Sequence, residues 1–181
     1  MTIVLGTGRQ FSSRWEAYFI SLAYFVATQS DDENTHVGAV IVDDSRTILS
    51  TGYNGFARGV KHCEERQIAP EKYNWMAHAE RNAIYSAAAI GTPLRGSSMF
   101  TCGFPCKDCA IAIIQSGIKC VFYHEAWHKG NYGKWIESFE KSAQMFTEAG
   151  VHCGSVDCEI REISTLRSGK PLCLLPLEGI S

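Results

Sequence analysis

The sequence predicts an α/β fold, with a mixed, partly parallel sheet covered by helices. Three observations predict it. Segments alternate along the chain in the order α-β-β-α-β-α-β-α-β, and strands alternating with helices imply crossover connections. No internal repeat, low-complexity segment or inter-domain linker divides the chain. Its 181 residues, 45% of them hydrophobic, suit one substantial core.

Residues 12–29 read as the first helix, because Trp15, Phe19, Leu22, Ala23 and Val26 recur at three- and four-residue spacings. Ser12 or Ser13 can cap it, and the polar run Ser30-Asp31-Asp32-Glu33-Asn34 ends it. Val37-Gly38-Ala39-Val40-Ile41-Val42 is a continuous apolar run, followed after the turn-forming Asp43-Asp44-Ser45-Arg46 by a second strand at 48–53. Together they predict a hairpin. A loop then runs to about residue 74, with room for a short helical turn at 64–66 or 70–73. A loop this long inside a compact domain is usually functional. Residues 78–89 are alanine-rich and periodic, and Gly91-Thr92-Pro93 stops that helix. A strand at 97–101, a helix at 106–115, a strand at 118–123, an aromatic and glycine loop at 127–133, a helix at 135–149 and a strand at 151–156 complete the order. Residues 157–181 form an extension with one or two strands around Arg167-Ser168-Gly169-Lys170-Pro171, expected to pack on the domain formed by residues 1–156.

Composition excludes several classes. The formal net charge is -2 and no long Lys or Arg run occurs, so no polynucleotide partner is expected. No apolar run reaches transmembrane length, so no membrane partner is expected. The segment Ile3-Val4-Leu5 is too short for a secretory leader. Eight cysteines without an export signal suggest thiols and metal ligands in a reducing cytoplasm rather than disulfides.

The chemistry concentrates in residues 78–109. His78-Ala79-Glu80 opens one helix, and Pro105-Cys106-Lys107-Asp108-Cys109 opens another. The cysteine spacing places both sulfurs on one helical face, at a helix N-terminus that favours thiolates. One imidazole and two thiolates can hold one Zn2+ tetrahedrally and leave a fourth position for water. Glu80, two residues past the histidine, is then a proton carrier rather than a ligand. Strand, Cys-x-x-Cys and helix also describe a redox site, and a structural zinc half-site has the same spacing. A dithiol redox site needs neither His78 nor Glu80.

These residues carry a resemblance. Gly52-Tyr53-Asn54-Gly55, His78-Ala79-Glu80-Arg81-Asn82-Ala83-Ile84 and Phe104-Pro105-Cys106-x-x-Cys109-Ala110 resemble deoxycytidylate (dCMP) deaminases, within the zinc-dependent cytidine deaminase superfamily; the H-x-E…P-C-x-x-C signature of base deaminases is a general one. The apolar run at 37–42 and Ile113-Ile114-Gln115-Ser116-Gly117-Ile118 fit the same pattern. The resemblance implies a three-layer α-β-α fold with a five-stranded sheet, and hydrolytic deamination of dCMP to dUMP and ammonia. It implies zinc on His78, Cys106 and Cys109, with Glu80 as the proton shuttle. Substrate contacts are implied for Asn54, the Ala79 amide and the Phe104 carbonyl. Activation by dCTP, inhibition by dTTP, an effector site lined by the Gly-Tyr-Asn-Gly loop and a homohexamer are implied as well. Ala57, the loop after Trp127 and the tail after Val156 depart from the family pattern. Another substrate (a modified dCMP, a nucleoside, a base or an adenine compound) is the alternative within deamination. A non-catalytic nucleotide-binding zinc protein is the alternative outside it, and such a protein has no need of Glu80.

The remaining residues have blander readings beside these. Asn54 in Asn-Gly suits a tight turn. With Tyr53 and Gly55, Arg58 and Lys61 are candidates for phosphate or effector contacts, although a loop cation is commonly just solvated. A second zinc at His62 and Cys63 would need two more ligands, and nothing local supplies them. His124 and His128, near the pocket mouth, read as solvated histidines, with a substrate contact as the other reading. Trp127, Tyr132 and Trp135 read as packing aromatics that could also stack on a base. Cys102, Cys120, Cys153, Cys158 and Cys173 read as small buried hydrophobes.

Overall fold

A computed structural model describes the backbone of residues 11–130, 133–161, 164–167 and 170–173. Five strands form one mixed sheet in the order β2-β1-β5-β6-β7: β1 (Gly38–Val42), β2 (Ile48–Tyr53), β5 (Ser98–Thr101), β6 (Cys120–His124) and β7 (His152–Val156). Strand β1 runs antiparallel to both β2 and β5, whereas β5, β6 and β7 are parallel. The parallel pairs are joined through helices α4 (Lys107–Gln115) and α6 (Ile136–Ala149). That is the crossover arrangement the alternating pattern predicts.

The sheet is covered on both faces, which makes the fold three-layered. Helix α1 (Ser13–Ala27) sets Phe19, Ile20, Ala23 and Ala27 against Val40, Val42, Phe100 and Phe122. On the opposite face, Ala83 and Ala87 of α3 (Ala79–Ile90), Ala110 and Ile113 of α4 and Phe146 of α6 meet Ala39, Ile41, Met99 and Val121. Alternate residues of β1 therefore enter two different cores. Its five residues are all buried, which explains why the run at 37–42 is apolar throughout rather than alternating. Small residues permit the close layers. A Cβ at Gly52 on β2 would overlap the backbone of Ala79 and Ala83, so β2 lies directly against the start of α3.

The long loop has more order than its sequence suggests. Short strands β3 (Gly55–Phe56) and β4 (Met76–Ala77) pair antiparallel and close it at its base. Between them lie a 3-10 turn at Glu64–Arg66 and the one-turn helix α2 (Lys72–Trp75). The aromatic and glycine segment is also not a loop. It contains helix α5 (Glu125–Gly130) and a 3-10 turn at Gly133–Trp135. Glycines at 130 and 133 suggest a loop locally, but Trp127 packs against the α1 side of the core and its ring stands 6.1 Å from that of Tyr24. In the extension, β8 (Ser164–Arg167) and β9 (Lys170–Cys173) pair antiparallel. Its first residues reach α1, where the Arg161 amide donates to Ser21 Oγ at 2.9 Å.

Candidate active site

The site forms where two helices begin beside the carboxyl ends of β5 and β6, the edge at which open α/β sheets bind ligands. His78 is the N-cap of α3 and Cys106 the N-cap of α4, both with extended backbone. Cys109 lies one turn into α4 and is fully buried. His78 Nδ1 lies 3.3 Å from Cys106 Sγ and 3.6 Å from Cys109 Sγ, and the three donor atoms fall within 4.8 Å of one another. Zinc bond lengths of about 2.3 Å to sulfur and 2.0 Å to nitrogen give tetrahedral S···N separations of about 3.5 Å. The three side chains therefore fit a tetrahedral zinc closely. Among the described residues this is the one such cluster of three or more metal-ligating groups.

The electrostatics agree with that fit. Hydrogen bonding from Cys109, and then from His78, lowers the Cys106 thiol to about 4, while Cys109, as donor to Cys106 and buried, is raised well above its ordinary value. The pair thus holds one thiolate readily and resists a second; a divalent cation removes that resistance.

Glu80 lies in the first turn of α3 with 4% of its surface exposed, and its Oε2 is 3.5 Å from Cys109 Sγ. Burial raises its carboxyl pKa, against the opposing pull of His78. A carboxyl held in this way exchanges protons nearer neutrality than a solvated one does.

A cleft of about 290 Å³ opens over these groups. Its wall carries His78, Glu80 and Cys106 together with Asn54, Phe104, Trp127 and Trp135. Trp135 stands edge-on to His78 at 5.9 Å. Two aromatics with a packing reading in the sequence therefore face the cleft. Phe104 also packs edge-on against Tyr123 and Phe139. Ala79 is fully buried at the first position of α3, where a backbone N–H has no helical acceptor.

Asn54 is more committed than its turn-forming pattern suggests. Its Oδ1 accepts from the Val37 N–H at 2.7 Å and from Ser30 Oγ at 2.8 Å, and its Nδ2 donates to the Thr35 carbonyl at 2.8 Å. It ties the end of β2 to the segment between α1 and β1, and it also lines the cleft.

Tyr53, Gly55, Arg58 and Lys61 lie off this cleft wall. Arg58 donates to Ser86 Oγ at 3.1 Å on the outer side of α3, and Lys61 is exposed. The cleft instead holds a pair that the sequence did not single out, Lys72 and Asp32. A lysine in the loop whose length signals function is the cue that could have found it. His124 is a correction: it is not solvated but 7% exposed, with Nδ1 2.7 Å from the Tyr24 hydroxyl and Nε2 3.0 Å from the Cys158 carbonyl. The end of β6 is covered by α1 and by the start of the extension, which the sequence spacing did not reveal. His62 lies against Phe56 and 3.8 Å from Asp31, and no third metal-ligating group joins it and Cys63 among the described residues. Cys102 and Cys153 are buried as expected, but Cys120 and Cys158 are only half-buried. The side chains of His128, Tyr132 and Cys173 lie outside the described residues.

Comparison with known proteins bears on the same residues. Residues 13–125 match the model of the cytidine and deoxycytidylate deaminase zinc-binding region. Deoxycytidylate deaminase of Homo sapiens is 37% identical over 146 residues, covering 76% of each chain. An uncharacterized deaminase in the luxG 3′ region of Aliivibrio fischeri is 37% identical over 139 residues, covering 77% of this chain and 91% of that one. The crystal structure of dCMP deaminase from cyanophage S-TIM5 in apo form superposes with a TM-score of 0.60 at 25% identity, over 80% of this chain and 99% of that one. That cyanophage protein has also been crystallised in complex with dCMP and dUMP.

Proposed function

The chain belongs to the cytidine and deoxycytidylate deaminase family with its zinc-binding region, and from that premise we propose that it hydrolyses dCMP to dUMP and ammonia. The observation that carries this reading is buried Glu80 on one cleft wall with His78 and Cys106, which fully buried Cys109 joins to complete a metal-ligating set. Two relatives of similar coverage, both called deaminases and one of them a deoxycytidylate deaminase, support the class and the substrate.

Bound zinc supplies a Lewis acid that lowers the pKa of water toward neutrality. The chain's own residues do the rest. The Ala79 amide and the Phe104 carbonyl hold the pyrimidine edge, and Asn54 meets the sugar side. Glu80 takes a proton from the attacking water and places it on ring N3. It then passes the second proton to the exocyclic amine as the C4–N bond breaks, and ammonia leaves with dUMP as the other product. Trp127, Trp135 and Phe104 line the cleft and limit competing water.

The same reading covers regulation and assembly. Tyr53 and Gly55, off the cleft wall, belong to the dCTP and dTTP effector loop, with Arg58 and Lys61 beside it, and the working form is a homo-oligomer, a hexamer by family resemblance. Residues 157–181 form an extension of the same domain.

Ammonia release measured with a panel of cytosine and adenine bases, nucleosides and nucleotides tests the substrate. Adding dCTP or dTTP to each tests the regulation, and sedimentation tests the assembly. Glu80→Gln is expected to keep zinc and fold while dCMP turnover falls about a thousandfold or more. Unchanged turnover in that variant removes Glu80 from the mechanism, and release from an adenine compound alone overturns the dCMP assignment.

A further inference from the structure

We propose that Lys72, held by Asp32 in the cleft wall, reads the 5′-phosphate and so sets the preference for a nucleotide over its nucleoside; the inference rests on the deaminase reading above. Among the described residues, Lys72 is the lysine or arginine on that wall. The two loop cations that the sequence offers for this task, Arg58 and Lys61, are not on it.

The geometry fixes the ammonium. Lys72 Nζ donates to Asp32 Oδ2 at 2.7 Å and to Oδ1 at 3.0 Å. Asp32 is itself anchored, since its Oδ1 accepts from the backbone N–H groups of Asn34 at 2.9 Å and Thr35 at 3.2 Å. Lys72 is 8% exposed and Asp32 5%. An ion pair this buried is a poor device for stability, because desolvating both charges offsets most of their attraction. On the wall of a ligand cleft it has a second use. A lysine ammonium carries three hydrogens, and two of them are directed at Asp32. The third has no acceptor among the described residues.

A phosphate oxygen suits that donor, because a charge-assisted bond out of bulk water is strong. A neutral nucleoside offers no comparable acceptor at its 5′ end. Asp32 acts as a positioning residue. It holds a long flexible side chain in one place before the ligand arrives and balances its charge in the meantime. The same wall carries Asn54, Glu80 and two of the metal-ligating residues, His78 and Cys106, so one ligand can engage the base-reading and phosphate-reading ends together.

Calorimetric titration of dUMP and deoxyuridine into the zinc-loaded protein measures the phosphate's contribution without turnover. Wild-type protein is expected to prefer dUMP. Lys72→Gln is expected to shrink that preference by about 10- to 100-fold, the size of one charged hydrogen bond, and Lys72→Arg to restore most of it. The ratio of kcat/KM for dCMP over deoxycytidine should fall by the same factor. If Lys72→Gln weakens both ligands equally, or keeps the wild-type preference, the inference is overturned and the pair is a structural clamp. If wild-type protein binds neither ligand, the deaminase reading fails and takes this inference with it.

Discussion

Asn54→Ala separates a structural from a purely substrate-binding role for that residue, and its cost can be worked from the hydrogen bonds. The 7% exposed side chain satisfies the Val37 N–H and the Thr35 carbonyl. Removing it leaves the half-buried Val37 amide without its acceptor, at about 1–3 kcal/mol. The Thr35 carbonyl belongs to an exposed residue, so water replaces part of that bond and the loss there is about 1 kcal/mol. The sum is about 2–4 kcal/mol. For a chain of this length each kcal/mol lowers the melting temperature by about 2–4 °C, so a drop of about 5–15 °C is expected. Thermal unfolding followed by circular dichroism at saturating zinc measures it. Asn54→Asp keeps the acceptor for Val37 and should lose only about 1 kcal/mol. An Asn54→Ala protein that melts within a degree of wild type would refute the reasoning, because the amide could not then be holding the segment ahead of β1.

Three further outcomes are expected. Burial pushes the Cys102 thiol up to about 12, so the folded state keeps a proton that the unfolded chain releases from about pH 9. Cys102 therefore stabilises fully below that pH, and its contribution is lost as pH rises from about 9 towards 12. Urea titrations across that window should show stability falling, with Cys102→Ala reducing the slope by up to about 1.4 kcal/mol per pH unit. A Cβ at Gly103 would lie 2.6 Å from Trp127 Cδ1; Gly103→Ala should therefore displace the indole, shift tryptophan emission and raise KM for dCMP about tenfold, the size of a modest packing loss. Stripping zinc with a chelator should abolish turnover, lower the melting temperature and make Cys106 and Cys109 alkylatable in mass spectrometry, with added zinc reversing all three.

Much of the fold was legible because its signals are local. Periodicity placed α1 and α3, the continuous apolar run placed β1, and glycines or proline marked helix ends. Helix α5 was not legible. What fixes it is the packing of Trp127 on the α1 side, a contact with a helix a hundred residues away. Strands β3 and β4 were equally hidden, since each has two residues and exists through the other.

The site divides along the same line. The sequence alone singled out the metal-ligating set and Glu80 as the candidate proton carrier, because His78, Glu80, Cys106 and Cys109 are chemically specific and their spacing sits at two helix starts. Only the tertiary structure decided what surrounds them. Lys72 is an ordinary loop lysine until folding sets it beside Asp32, 40 residues away in the chain. Arg58, a candidate for phosphate or effector contacts by sequence, is set off the cleft wall by the fold and donates to Ser86. Ligand identity is written in side-chain chemistry, whereas the shape and charge of a cleft come from distant segments whose meeting no local pattern records.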